Sequence, residues 1–238
     1  IELMIRRLMD YMNAPELINE TRRQTQYLAL QNQINPHFLY NTLECIRSEA
    51  MGAQMGSVAD MCEALATFFR YTVSNLETVA TIEEELSNVK NYFFIQQYRF
   101  GQRIALTIEC DPQDEKQIFK HPIPRLTLQP IVENAILHGV EKMIGESLIR
   151  IHFELTPERL ILIVSDNGVG IGQDVLERLN HHLHAQSPIE TANGGIALSN
   201  VNNRIKLLFG EEFGLTLYST VDIGTDVEIT IPHHSIED

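Results

Sequence analysis

The chain of 238 residues carries 18 basic and 32 acidic side chains, a formal net charge of −14. Such a surface repels nucleic-acid backbones and anionic lipid, and no apolar run is long enough to span a bilayer. Nucleic-acid partners and direct membrane insertion are therefore not expected. Cys45, Cys62 and Cys110 share no close spacing, which sets aside a disulfide framework and a cysteine-rich zinc site.

The chain opens on Ile1 without a signal peptide and reads as a piece of a longer protein. Residues 1–100 read as helical, with Pro15 and Pro36 their only prolines and Gly52 and Gly56 their only glycines. The glycines of MGAQMGS mark a turn between two helices, with Ser57 as N-cap of the second. Leu39, Leu43, Ile46 and Ala50 step by helical intervals, as do Val58, Met61, Leu65, Phe68 and Thr72. Two such seams predict an antiparallel helical hairpin that completes its core by dimerising into a four-helix bundle. Thr81 and Glu84 form a capping box that starts a third helix reaching about Phe100, and Glu83, Glu84 and Glu85 read as its solvated first turn.

At Gly101 the composition changes. Strands are predicted at 103–110, 147–156, 159–166, 214–220 and 225–232, with helices at 125–139, 173–183 and 197–210. This mixture predicts a two-layer α/β sandwich over 101–238, so the whole chain is α+β, with a helical domain over 1–100. The polar stretch 181–195 reads as a mobile loop or lid. Its His181, His182 and His184 offer zinc no fixed tetrahedral geometry.

NPHFLYN places a histidine beside a proline on a helix. With His37 set at zero on a wheel of about 100° per residue, Leu39, Leu43, Ile46 and Ala50 fall at roughly 180–240°. His37 therefore faces solvent, with Asn41 one turn on along the same face. Tyr27, Leu30 and Ile34 fall on the histidine side unless the helix bends at Pro36. No histidine stands at position 33 or 41, so a metal site of H-x-x-x-H form is absent. A surface histidine and a nucleophile remain as readings.

Four further pieces follow in order: QPIVENAILHG (129–139), DNGVGI (166–171), NGGIALSN (193–200) and DIGTDVEI (222–229). Taken singly, DNGVG is a tight turn, a poor calcium loop, and no P-loop because no lysine follows its glycines. In this order the four pieces resemble the nucleotide-binding domain shared by gyrase-type ATPases, MutL and histidine kinases, the Bergerat fold. NPHFLYNTL followed by E-N-A-x-x-H-G and D-N-G-x-G resembles sensor histidine kinases of the LytS/YesM type over nearly the whole chain.

The resemblance implies a homodimeric kinase that uses ATP and Mg²⁺, with His37 as phosphoacceptor and a response-regulator receiver domain as partner. It implies a location in the cytoplasmic portion of a membrane sensor. Asn134 would offer its amide oxygen to Mg²⁺, and Asp166 would accept from the adenine amine. Gly168 and Gly170 would let backbone approach the ring, Gly194 and Gly195 would let the lid move, and Thr225 would line the adenine side. An imidazole is mostly neutral near pH 7 and offers a lone pair to phosphorus.

Several positions depart from the family pattern. Phe38 stands where many histidine kinases carry an acid, and Asn41 is read instead as positioning water or the phosphoryl group. Leu137 replaces a phosphate-contacting Lys or Arg, leaving His138, Lys142 and Arg204 as candidates for that contact. Ala197 replaces a lid glycine, and Pro130 stands where gyrase-type ATPases carry a water-activating glutamate, which argues against a mechanical ATPase. These changes also leave open a nucleotide-gated signalling scaffold with little transferase activity.

Overall fold

The computed structural model describes residues 36–73, 78–140, 145–184 and 195–233. Tyr27, Leu30, Ile34 and the expected bend before Pro36 lie outside them. The chain forms two compact units, Ile1–Arg70 and Tyr71–Asp238.

In the first unit, α1 (Pro36–Gly52) and α2 (Gly56–Val73) form a hairpin. Tyr40 Oη donates to the Phe69 carbonyl at 3.1 Å and Arg47 meets Glu63 at 3.4 Å, pairs that pin the helices antiparallel. The turn differs in detail from the glycine turn expected. Gln54, not a glycine, takes the left-handed conformation (φ 56°). The Met55 carbonyl accepts from Val58 and Ala59, so α2 begins ahead of the N-cap expected at Ser57. The buried positions of α1 include Leu43 and Ala50, as the periodicity requires, but on α2 they are Ala59, Cys62, Ala64 and Ala66. Small side chains let helices approach closely, and the larger Met61, Leu65 and Phe68 are left half-buried.

The second unit opens with β1 (Val79–Thr81), paired antiparallel with β3 (Pro122–Pro124). The expected capping box starts α3 (Ile82–Phe100): Glu84 N donates to Thr81 Oγ1 at 3.2 Å and Thr81 N donates to Glu84 Oε2 at 2.8 Å. Gly101, at φ 65°, ends the helix. Ile82, Leu86, Val89 and Phe93 bury one face of α3 in the core of this unit. That burial is why the division falls at Tyr71, ahead of the compositional change at Gly101.

The main sheet contains β2 (Ile104–Glu109), β4 (Ser147–Leu155), β5 (Arg159–Asp166), β6 (Gly214–Thr220) and β7 (Gly224–Pro232). Its order is β2-β4-β5-β7-β6; β2 and β4 run parallel and the other neighbours antiparallel. Along β4, Ile149, Ile151 and Phe153 are buried while Arg150 and Glu154 are exposed, the alternation of a sheet covered on one face. The cover comes from α3, α5 (Leu128–Asn134), α6 (Gln173–His184) and α7 (Gly195–Phe209), with α4 (Glu115–Lys120) a short addition. Ile131, Val132, Val201 and Ile205 meet the inward side chains of the strands in one core. The fold is thus α+β, a helical hairpin followed by a two-layer sandwich, as expected. Strands β1 and β3, which form a separate two-stranded sheet, and helix α4 are too short to leave a periodic signal.

Candidate functional site

The site is built where β5 ends. Asp166 is the last residue of that central strand and pairs with Thr225 at the start of β7. Its Oδ1 accepts from Gly168 N at 2.8 Å, closing a tight turn. Burial pushes the Asp166 carboxyl above the usual carboxylate range; the Gly168 amide opposes this and Asp226 adds to it. The next residue faces the other way. Asn167 Oδ1 accepts from Leu148 N at 2.8 Å and its Nδ2 donates to the Glu146 carbonyl at 3.3 Å, stapling the loop to β4. The Asp-Asn-Gly turn therefore splits its labour: one side chain is anchored outside, the other held inside.

Gly170 (φ 69°) runs so close to the strand turn that an added Cβ would strike the Thr220 carbonyl oxygen. Ser219 Oγ ties the two segments together, accepting from Ile171 N at 2.8 Å and sharing a 2.9 Å hydrogen bond with Thr225 Oγ1.

From the other side comes α5. After Asn134 the helix widens into a π-helical turn, Ala135–Val140, a distortion often found at functional sites. Asn134 Nδ2 is buried with no hydrogen-bond partner among the described residues. It lies on the wall of a cavity of about 380 Å³ whose lining also includes Ile131, Asp166, Val169, Thr225 and Val227. The size and the apolar wall with few polar groups suit a small organic ligand.

The cavity brings together Asn134, Asp166, Gly170 and Thr225 from the residues expected in the site, and Gly168 supports Asp166 at its edge. Gly194, Lys142 and the side chain of His138 lie outside the described residues. Gly195 begins α7, whose Leu198 reaches the cavity wall. Arg204, one of the candidates for a phosphate contact, is committed elsewhere: its Nη2 donates to the Leu126 carbonyl at 2.7 Å. Among the described residues no three His, Cys, Asp or Glu side chains are grouped to hold a metal. In the other unit His37 and Asn41 are exposed on α1, as the helical wheel requires, with Asn41 Nδ2 3.3 Å from His37 Nδ1. Phe38 beside them is 70% exposed.

Three residues escaped the sequence reading. Gly139 faces Gly168 and Asp166; Asn167 anchors the turn; and Glu85, expected in solvent, is fully buried. Gly139 and Asn167 lay within the quoted motifs, and Glu85 within the acidic start of α3.

Residues 25–104 match the family described as histidine kinase, and residues 123–235 match that described as histidine kinase-, DNA gyrase B-, and HSP90-like ATPase. The chain belongs to the histidine kinase family. Among its histidine kinase relatives, sensor histidine kinase YesM of Bacillus subtilis (strain 168) is 37% identical over 210 residues, 88% of this chain and 34% of that protein. Sensor protein LytS of Staphylococcus saprophyticus subsp. saprophyticus is 31% identical over 223 residues, 91% of this chain and 35% of that protein. The chain therefore spans about a third of the length of these kinases. A looser likeness, 15% identical at TM-score 0.46, links 82% of this chain to 95% of a solved histidine kinase domain from Erythrobacter litoralis.

Proposed function

We propose that this chain is the transmitter core of a sensor kinase, taking the γ-phosphoryl group of ATP onto His37 and handing it to an aspartate of a response-regulator receiver. The observation that carries the reading is one cavity lined by both the half-buried Asp166 carboxyl and the side-chain amide of Asn134. Asp166 accepts from the exocyclic amine of adenine, the contact that selects this base. Gly168 and Gly170 bring backbone to the ring, and Thr225 lines its edge. Gly194 and Gly195 lead into α7, whose first amides point to phosphate oxygens.

A hard oxygen donor suits Mg²⁺, and Asn134 brings a side-chain amide oxygen to the cavity wall, so the residues present fit that ion. When bound, Mg²⁺ supplies neutralisation of phosphate charge. Asn134 would hold it together with phosphate oxygens and water.

His37 supplies the nucleophile. Its ring nitrogen forms the phosphorus–nitrogen bond as the bond from γ-phosphorus to the bridging oxygen breaks, and ADP leaves with that electron pair. The ring proton passes to solvent, since Phe38 offers no carboxylate. Asn41 stands beside the ring to place water or the phosphoryl group. The labile bond then lets the group move to the receiver aspartate.

The first unit, to Arg70, would serve dimerisation and phosphotransfer, and the second, which includes α3, nucleotide binding. Half-buried Met61, Leu65 and Phe68 give a second copy of α1–α2 apolar surface to complete a four-helix bundle. Among the described residues no helix is long and apolar enough to cross a membrane. The fragment fits the cytoplasmic side of a membrane sensor.

The commitment of Arg204 to Leu126 favours a second reading, a nucleotide-gated scaffold with little transfer. Incubation with γ-labelled ATP and Mg²⁺ separates the two. Label that is acid-labile, alkali-stable and lost in His37→Ala supports the kinase. Bound ATP without label supports the scaffold.

A further inference from the structure

Glu85 is the third of three consecutive acids at the start of α3, yet it is fully buried. Its Oε1 accepts from Leu126 N at 2.7 Å and from the Tyr71 hydroxyl. Its Oε2 accepts from Thr127 N at 2.8 Å and Leu128 N at 2.9 Å. These three consecutive amides are the unsatisfied donors at the start of α5, which a local cap normally takes. The local candidate is engaged elsewhere, because Thr127 Oγ1 donates to the Pro124 carbonyl at 2.5 Å. Leu126 holds φ 59°, a strained conformation for a leucine, and its carbonyl is the one taken by Arg204 from α7. Arg125 donates to the Tyr71 carbonyl at 2.9 Å and lies 4.1 Å over the Tyr71 ring.

A second connection runs along the same two helices. One turn after Glu85, Asn88 Nδ2 donates to Gln129 Oε1 at 2.5 Å, and Gln129 Nε2 donates to Glu133 Oε1 at 2.7 Å. Glu133 immediately precedes Asn134. Helix α3 thus holds α5 at its first peptide units and again beside the residue that faces the cavity.

We propose that Glu85 is a positioning residue for the nucleotide site: by capping the amides of Leu126, Thr127 and Leu128 it sets where α5 presents Asn134. This rests on the reading of Asn134 as the group that meets the metal and phosphates. A cap needed only for stability is ordinarily a serine, threonine or aspartate at the helix start. Here a carboxylate from another helix replaces it, so the height of α5 is fixed by α3 and not by its own turn. Both carboxylate oxygens take two donors. The amide nitrogen of Glu85→Gln would therefore oppose two donors in either orientation, although the side chain keeps its shape.

The test titrates the 238-residue chain with two probes, Mg-ATP and adenosine. Glu85→Gln is expected to weaken Mg-ATP roughly ten-fold or more, the usual scale for a residue that orients a ligating group. Adenosine, held at Asp166, should bind within about two-fold of wild type, because Asp166 belongs to β5, which Glu85 does not touch. The side-chain amide resonance of Asn134 in nucleotide-free protein should also move. Equal affinity for Mg-ATP in wild type and variant overturns the proposal, as does parallel loss of both probes, which marks a merely structural role. Glu85→Asp keeps the charge but, one methylene shorter, cannot hold all three amides, and decides the matter if Glu85→Gln does not fold. It should weaken Mg-ATP alone, and no selective loss overturns the proposal. Wild-type protein that binds adenosine but not Mg-ATP would overturn the underlying reading of Asn134 instead.

Discussion

Gly139 and Gly168 face each other so closely that a Cβ on either would stand 2.7 Å from Oδ1 of Asp166. A Cβ on Gly168 would also strike the Cα of Gly139. The π-helical turn after α5 and the turn after β5 are thus pressed together without side chains, and Asp166 is held between them. Gly139→Ala should cost about 1–3 kcal/mol of stability, the scale of overpacking in a tight contact. It should also weaken adenosine, because Asp166 must shift. Chemical denaturation and adenosine titration check this; a variant as stable as wild type with unchanged affinity contradicts it.

Asp166 carries a cost in the nucleotide-free protein. Its carboxyl is raised by burial, so the folded chain holds the proton more tightly than the unfolded chain does. The stability linked to that proton is fully present below the ordinary carboxylate range and lost as pH rises through the raised value. Asp166→Asn keeps an oxygen for Gly168 N and removes the charge. At neutral pH the variant should melt higher than wild type, and the gap should close as pH falls through the raised value. Its adenosine affinity should fall about ten- to one-hundred-fold, the worth of a hydrogen bond to a charged group. Melting curves across pH with parallel titrations test both parts. A variant that melts lower at pH 7, or that binds adenosine normally, contradicts this account.

Asn41 should matter more for removing the phosphoryl group than for installing it. The amide is exposed beside His37, where it can hold water, whereas attack on ATP needs chiefly the imidazole. Asn41→Ala is expected to slow dephosphorylation of the receiver about ten-fold, the worth of one hydrogen bond, with a smaller change in autophosphorylation. Equal loss of both rates in parallel assays contradicts the assignment.

The five main strands were legible because runs of β-branched residues lie between turn-forming stretches, and the ends read from sequence match the observed ones to within one residue at every boundary. The capping box at Thr81 and Glu84 was legible because it is local. Long-range features were not. Nothing near Glu85 in sequence shows that its carboxylate takes amides 41, 42 and 43 residues away, and an acidic triplet ordinarily belongs in solvent. The stripe of Ala59, Cys62 and Ala66 was hidden because small residues give a weak hydrophobic signal beside Met61, Leu65 and Phe68. The residues that line the cavity at the end of β5 were named through the resemblance of their motifs. Their packing, above all the approach of Gly139 to Gly168, depends on tertiary contact that no single motif encodes.

The most direct measurement is to locate the phosphoryl group by peptide mapping at neutral pH after reaction with Mg-ATP. The account predicts phosphohistidine on the peptide containing His37, none in Asn134→Ala, and much less in Asp166→Asn at an ATP level that just saturates the wild-type chain. Phosphate on another residue, or a modified His37 that persists in Asn134→Ala, would contradict it.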